Sequence, residues 1–165
     1  MPDYGVAYNQ AAASTAYKTA LAIAAAAAAA SGIQLRRGRL FDINIGQSGP
    51  PNSTDTSIQW DVSRFSSYAG FTLTTQAPNP DDSADPVFMG QCGVNATVEG
   101  TYSAQGSGLG LLNFVINQRA AYRWISKDGK ELVYPATANL GIGVRALVVT
   151  SGYVGPIAGT LQFTE

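Results

Sequence analysis

Residues 111–125, LLNFVINQRAAYRWI, constrain the fold more than any other stretch of the chain. Leu112, Phe114 and Ile116 fall on one side of a two-residue alternation, with Leu111, Asn113 and Val115 on the other. Successive side chains of a strand point to opposite faces, so this is the pattern of a strand lying on a packed layer. After the polar step Asn117, Gln118, Arg119 the pattern resumes, with Tyr122 and Trp124 sharing a face and Arg123 pointing away. Two large rings on one face need a core opposite them, made of aliphatic and β-branched neighbours.

The same alternation recurs along the chain. Phe41, Ile43 and Ile45 alternate with Leu40, Asp42 and Asn44 until Gly46, and Ile58, Trp60, Val62 and Arg64 alternate with Gln59, Asp61, Ser63 and Phe65. Further strands are expected over residues 71–75, 94–102 with a bulge at Gly100, 132–134, 140–148 and 159–165, where Leu161 and Phe163 share a face. The connections QSGPPNSTDTS and QAPNPDDSAD are loops by composition, and prolines keep the second out of a sheet interior. GSGLG, residues 106–110, is a turn without the lysine of a phosphate-binding loop, and Asp128-Gly129 is a hairpin signal.

Residues 11–30 carry two conflicting signals. Alanine favours a helix, whereas Thr15, Tyr17, Thr19, Leu21 and Ile23 alternate with smaller residues in a strand pattern. A surrounding sheet overrides helix propensity, so a strand is expected over residues 15–23, followed by a link or helical turn over 24–31. About nine short strands between glycine- and proline-bearing loops predict an all-β antiparallel sandwich or barrel. Residues 15–165 form the single expected domain, with Trp60, Phe114, Trp124 and Phe163 in its core. Residues 1–14 read as an N-terminal arm, because Tyr4 and Tyr8 stand among small and polar residues without periodicity. Tyrosines suit docking better than solvation, so both are assigned to contact with a partner.

Composition narrows the function. Charged residues make up 13 % of the chain, about half the usual ~25 %. A net charge of −1 offers no footprint for nucleic acid. With no histidine, the commonest general base and the commonest transition-metal ligand are both missing. Cys92 stands alone and reads as a small buried side chain. The run ALAIAAAAAAA, residues 20–30, is shorter than the ~20 apolar residues of a membrane span. It also lacks the basic lead-in of a signal peptide, since the first positive side chain is Lys18.

Each remaining cluster has a simple reading. Asp81, Asp82 and Asp85 lack calcium-loop spacing and read as a solvated turn. The triplets at Asn52 and Asn95 match the glycosylation pattern, which has meaning only for a secreted chain. Asp42, Asp61, Glu99 and Glu131 are the carboxylates from which a glycosidase pair would have to be drawn. Tyr68, Tyr102 and Tyr153 lie near loops, as the rings of a carbohydrate-binding sandwich would. Arg36 and Arg37, with Arg39, mark a strand entry suited to acidic groups on a partner.

Three stretches carry a resemblance: RRGRLFDINIG from Arg36, SIQWDVSRF from Ser57, and INQRAAYRWISKDGKELVYPATAN from Ile116, together with the ending TLQFTE. They resemble a group of small virion proteins of tailed phages. The resemblance implies a jelly-roll sandwich of the tumour-necrosis-factor and C1q type that assembles as a homotrimer. It further implies a capsid cement or decoration protein bound to the major capsid protein at the virion surface, or else a tail or receptor-binding component. It implies no enzyme activity and no cofactor.

Overall fold

The computed structural model describes residues 1–12, 14–28, 34–102, 110–148 and 155–165. Its strands are β1 (Asp3–Ala12), β2 (Lys18–Ala24), β3 (Gly38–Gln47), β4 (Ser57–Phe65), β5 (Thr72–Thr75), β6 (Asn79–Pro80), β7 (Gln91–Val98), β8 (Leu112–Asn117), β9 (Tyr122–Ile125), β10 (Leu132–Tyr134), β11 (Gly141–Val148) and β12 (Pro156–Thr164). One antiparallel sheet runs β10-β3-β12-β1-β6, with β9 also paired to β3. The other runs β5-β7-β2-β11-β4-β8. The protein is all-β, two antiparallel sheets packed as a sandwich. Four antiparallel pairs are nested in the sequence: β1 with β12, β2 with β11, β3 with β9 and β4 with β8. The GSGLG turn up to residue 109, Tyr153 and residues 29–31 of the alanine-rich link lie outside the described residues.

The alternation read from the sequence becomes the core. Ile58, Trp60 and Val62 of β4 and Ile142, Val144, Ala146 and Val148 of β11 face Ile43, Ile45, Leu161 and Phe163 of the opposite sheet, all buried. At β3 the phase changes. Gln162 pairs with Asp42 but Phe163 pairs with Leu40, so Phe41 is an extra residue in the ladder. An extra residue in one strand shifts its two-residue alternation by one position. Leu40 therefore joins Ile43 and Ile45 in the core, where strict alternation had grouped Phe41 with them. Another irregularity lies in β7 opposite Thr72 and Thr74, where Asn95 has φ 57°, instead of at the expected Gly100.

The alanine-rich segment is β2, flanked by β7 and β11 and buried along nearly its whole length. Its inward residues Leu21 and Ile23 enter the main core. Its outward residues Ala22 and Ala24 lie beneath a second apolar cluster of Phe65, Tyr68, Phe71, Leu73 and Tyr102. Small residues are needed there. A Cβ on Gly141 would lie 2.0 Å from the Ile23 carbonyl oxygen, and one on Gly143 would lie 2.2 Å from the Tyr102 hydroxyl. The run reads as helical by composition because alanine is also what a strand requires beneath a layer of rings.

The arm expected over residues 1–14 is corrected. β1 sits inside its sheet between β12 and β6, paired with β12 from Asp3 opposite Thr164 to Ala12 opposite Pro156 with a register shift between Asn9 and Ala11. Tyr4, Val6 and Tyr8 alternate into the core and are buried. Tyr4 stacks on Phe163 at 5.6 Å, meets Phe88 edge-on at 5.5 Å and donates its hydroxyl to the Pro86 carbonyl at 2.9 Å. The period-2 signal was present at positions 4, 6 and 8, but Gly5, Ala7 and Asn9 between them hid it among small residues. Of the four rings expected inside, Trp60 and Phe163 are fully buried. Phe114 and Trp124 are half-buried against the core.

Candidate functional site

A cluster of polar side chains occupies the outer face of the second sheet. Asp61 of β4 and Arg145 of β11 are direct neighbours in the ladder, both on the outward phase of their strands. The Arg145 Nε donates to Asp61 Oδ2 at 2.6 Å, Ser63 Oγ donates to the same oxygen at 2.5 Å, and the Gly110 N–H donates to Oδ1 at 3.1 Å. The guanidinium lies between two rings, 4.4 Å from the centroid of Tyr17 and 4.2 Å from that of Tyr102. The Tyr102 hydroxyl is 2.7 Å from Thr19 Oγ1, and Glu99 accepts from the Thr19 N–H at 2.8 Å and from its hydroxyl at 2.5 Å. Burial raises the Tyr102 phenol above its ordinary value of 10.0, with Thr19 opposing the shift.

This arrangement works as a clasp. Ser63 gives its proton to a carboxylate already neutralised by an arginine, so no base is poised to activate it as a nucleophile. The network ties the segment before β2 and the segment after β7 onto β4 and β11. Asp61 was legible as a candidate carboxylate, and Glu99 too. Arg145, Thr19 and Tyr17 were missed, because a pair across two strands depends on register and only their status as polar residues in apolar strands marked them.

Of the four candidate carboxylates, Asp61 and Glu99 share this cluster around Arg145 and Tyr102, while Asp42 and Glu131 lie apart from it. Asp61 belongs to the second sheet, whereas Asp42 lies on β3 of the first and is bound by Arg123 of β9 through Nε at 3.0 Å to both oxygens and through Nη2. Glu131 accepts from the Gly129 N–H at 3.0 Å beside the Asp128-Gly129 turn, and its own backbone N–H together with that of Gly129 holds its carboxyl below the ordinary range. Tyr68 and Tyr102 pack their rings against Phe65 and Phe71. Asp82 accepts from the Ala84 N–H at 2.9 Å, and among the described residues no three His, Cys, Asp or Glu side chains gather to hold a metal ion. Cys92 is buried, and burial pushes its thiol up to about 12.

The partner-binding residues separate into two groups. Tyr4 and Tyr8 are spent on the core and cannot dock, which corrects their assignment. Arg36 and Arg37 are exposed before β3, with Arg36 near Glu165, whose carboxyl burial raises and Arg36 lowers. The polar step between β8 and β9 also has a task the sequence did not disclose. Gln118 is fully buried, donates to the Thr54 carbonyl at 2.8 Å and accepts from the Asn52 N–H at 3.2 Å. Arg119 reaches Asp55 and the Asn52 carbonyl, both at 2.8 Å. The step therefore crosses from one sheet to the other while pinning the loop before β4.

On this side of the sandwich β8 is, among the described residues, the terminal strand of its sheet, and β9 lies on the outer side of β3. Phe114 and Tyr122 bridge the gap between the two strands with ring centroids 4.7 Å apart. Tyr122 is 40 % exposed, Val115 60 % and Ile125 59 %. β8 carries neither a charged residue nor a proline, the usual means of blunting a free strand edge. No helix among the described residues is long and apolar enough to cross a membrane. No protein-family model matches the sequence, and no curated protein is significantly similar to it.

Proposed function

We propose that the chain is a structural protein of a tailed-phage virion, a cement protein that stabilises the capsid shell as a homotrimer bound to the major capsid protein. The observation that carries this reading is the uncharged free edge of β8 with the apolar residues Val115, Tyr122 and Ile125 exposed on and beside it. An edge left this open is a template for association, and a closed ring of copies covers it without forming fibres. The edge lies in the same block, from Ile116 onward and just before it, that carries the resemblance to phage virion proteins. The four nested antiparallel pairs support a jelly-roll winding, in which a folded ribbon of strands wraps into two sheets. Arg36 and Arg37, exposed before β3, are available to acidic groups on the shell.

Light scattering on the purified chain at micromolar concentration tests the assembly, with a trimer mass expected at low and high salt alike. Val115→Lys places a charge on the open edge without touching the core, and is expected to yield monomer with an unchanged far-ultraviolet spectrum. A wild-type monomer, or a Val115→Lys trimer, overturns the edge as the contact. Co-sedimentation with emptied shells of tailed phages then tests attachment.

A further inference from the structure

A cleft of about 540 Å³ opens at the end of the sandwich, where β4 and β11 of one sheet approach β10 of the other. Arg64 follows Ile58, Trp60 and Val62 on the inward phase of β4, so its side chain leaves the core at this end. Its Nε and Nη2 donate to the Val133 carbonyl of β10 at 3.2 and 3.1 Å. This grip fixes the plane of the guanidinium and leaves Nη1 without an acceptor among the described residues. Arg37 also lines the cleft and is exposed, with no hydrogen-bond or ion-pair partner among the described residues. Phe65, Val133, Pro135 and Leu140 supply apolar walls, and no lining residue among those described is acidic.

The nearby carboxylates are committed elsewhere. Glu131 is held by its own turn and feels Arg39, and Glu165 feels Arg36. Two guanidiniums line one cleft whose other described lining residues are uncharged, so an anion entering it meets positive charge and no opposing carboxylate. A guanidinium fork matches the two oxygens of a carboxylate, and one already held rigid loses little freedom on binding. The apolar walls oppose a fully hydrated ion and favour one that carries hydrocarbon.

We propose that this cleft is a binding site for a carboxylate borne on an apolar body, with Arg37 and Arg64 on the head and Phe65, Val133, Pro135 and Leu140 around the tail. The site does not depend on the virion reading. Titration of the native protein with 4-phenylbutyrate, followed by amide nitrogen–proton spectra, is expected to shift Phe65, Val133 and Gly141 saturably. The neutral analogue 4-phenylbutanamide is expected to bind at least about tenfold more weakly. Arg37→Gln alters an exposed side chain and is expected to weaken phenylbutyrate by a similar factor with an unchanged melting temperature. Acid and amide binding alike, or full affinity in Arg37→Gln, overturns the role of the arginines. Displacement by inorganic phosphate at equal concentration overturns the role of the apolar walls.

Discussion

Arg145 and Asp61 face each other across adjacent strands with 2.6 Å between Nε and Oδ2, and the Asp61 side chain is only 2 % exposed. Removing one partner of such a pair leaves the other charge buried and unbalanced, at a cost of about 3–5 kcal/mol. Arg145→Met is expected to fall at the low end, about 3 kcal/mol, because Ser63 and Gly110 still donate to Asp61. Asp61→Asn combined with Arg145→Met is expected to cost less than the sum of the single changes. Urea denaturation of the four proteins measures the coupling, and strict additivity would refute the clasp.

Deleting residues 1–10 is expected to prevent folding. β12 and β6 would lose their shared neighbour, and the core would lose Tyr4, Val6 and Tyr8 together. Burying one large apolar side chain is worth about 1.5–3 kcal/mol, so three of them approach the whole stability of an ordinary domain. A truncated chain with native circular dichroism and a cooperative melt would return this segment to the role of a dispensable arm.

The two tryptophans should behave differently. Trp60 is fully buried beside Tyr8, with ring centroids 6.4 Å apart, and Trp60→Ala is expected to cost about 3–5 kcal/mol as a cavity opens. Trp124 is half-buried on an edge strand, and its removal is expected to cost about 1–2 kcal/mol, since less area leaves the core. Acrylamide quenching of the two single-tryptophan variants checks the order, with the protein that retains only Trp124 quenched faster.

Alkali should destabilise the protein before it ionises the folded state. Burial raises the Cys92 thiol from its ordinary 9.0 to about 12 and raises the Tyr8 and Tyr134 phenols above their ordinary 10.0. The unfolded chain therefore loses these protons at lower pH than the folded one. The stability from Cys92 is complete below about pH 9 and lost progressively up to about pH 12, at about 1.4 kcal/mol per pH unit for a single group. Urea midpoints at pH 8 and pH 10.5 test the sign, and native Cys92 is expected to resist thiol reagents at neutral pH until denaturant is added.

The sequence by itself determined the strand class and much of the inward-facing pattern, because side-chain alternation is local and survives without knowledge of any partner. Ile58, Trp60 and Val62, Ile142 to Val148, and Leu161 with Phe163 are legible in this way. The tertiary structure decided everything that depends on which strands meet. It placed β1 in the interior of a sheet, where a partner strand on each side makes a segment of small residues worth ordering. It inserted Phe41 as an extra residue and so returned Leu40 to the core. It covered the alanines of β2 with the four rings of Phe65, Tyr68, Phe71 and Tyr102, and it brought Asp61 to Arg145 across 84 positions of sequence. Ladder register and layer packing are long-range properties, and a pattern read within one strand carries no record of the strand beside it.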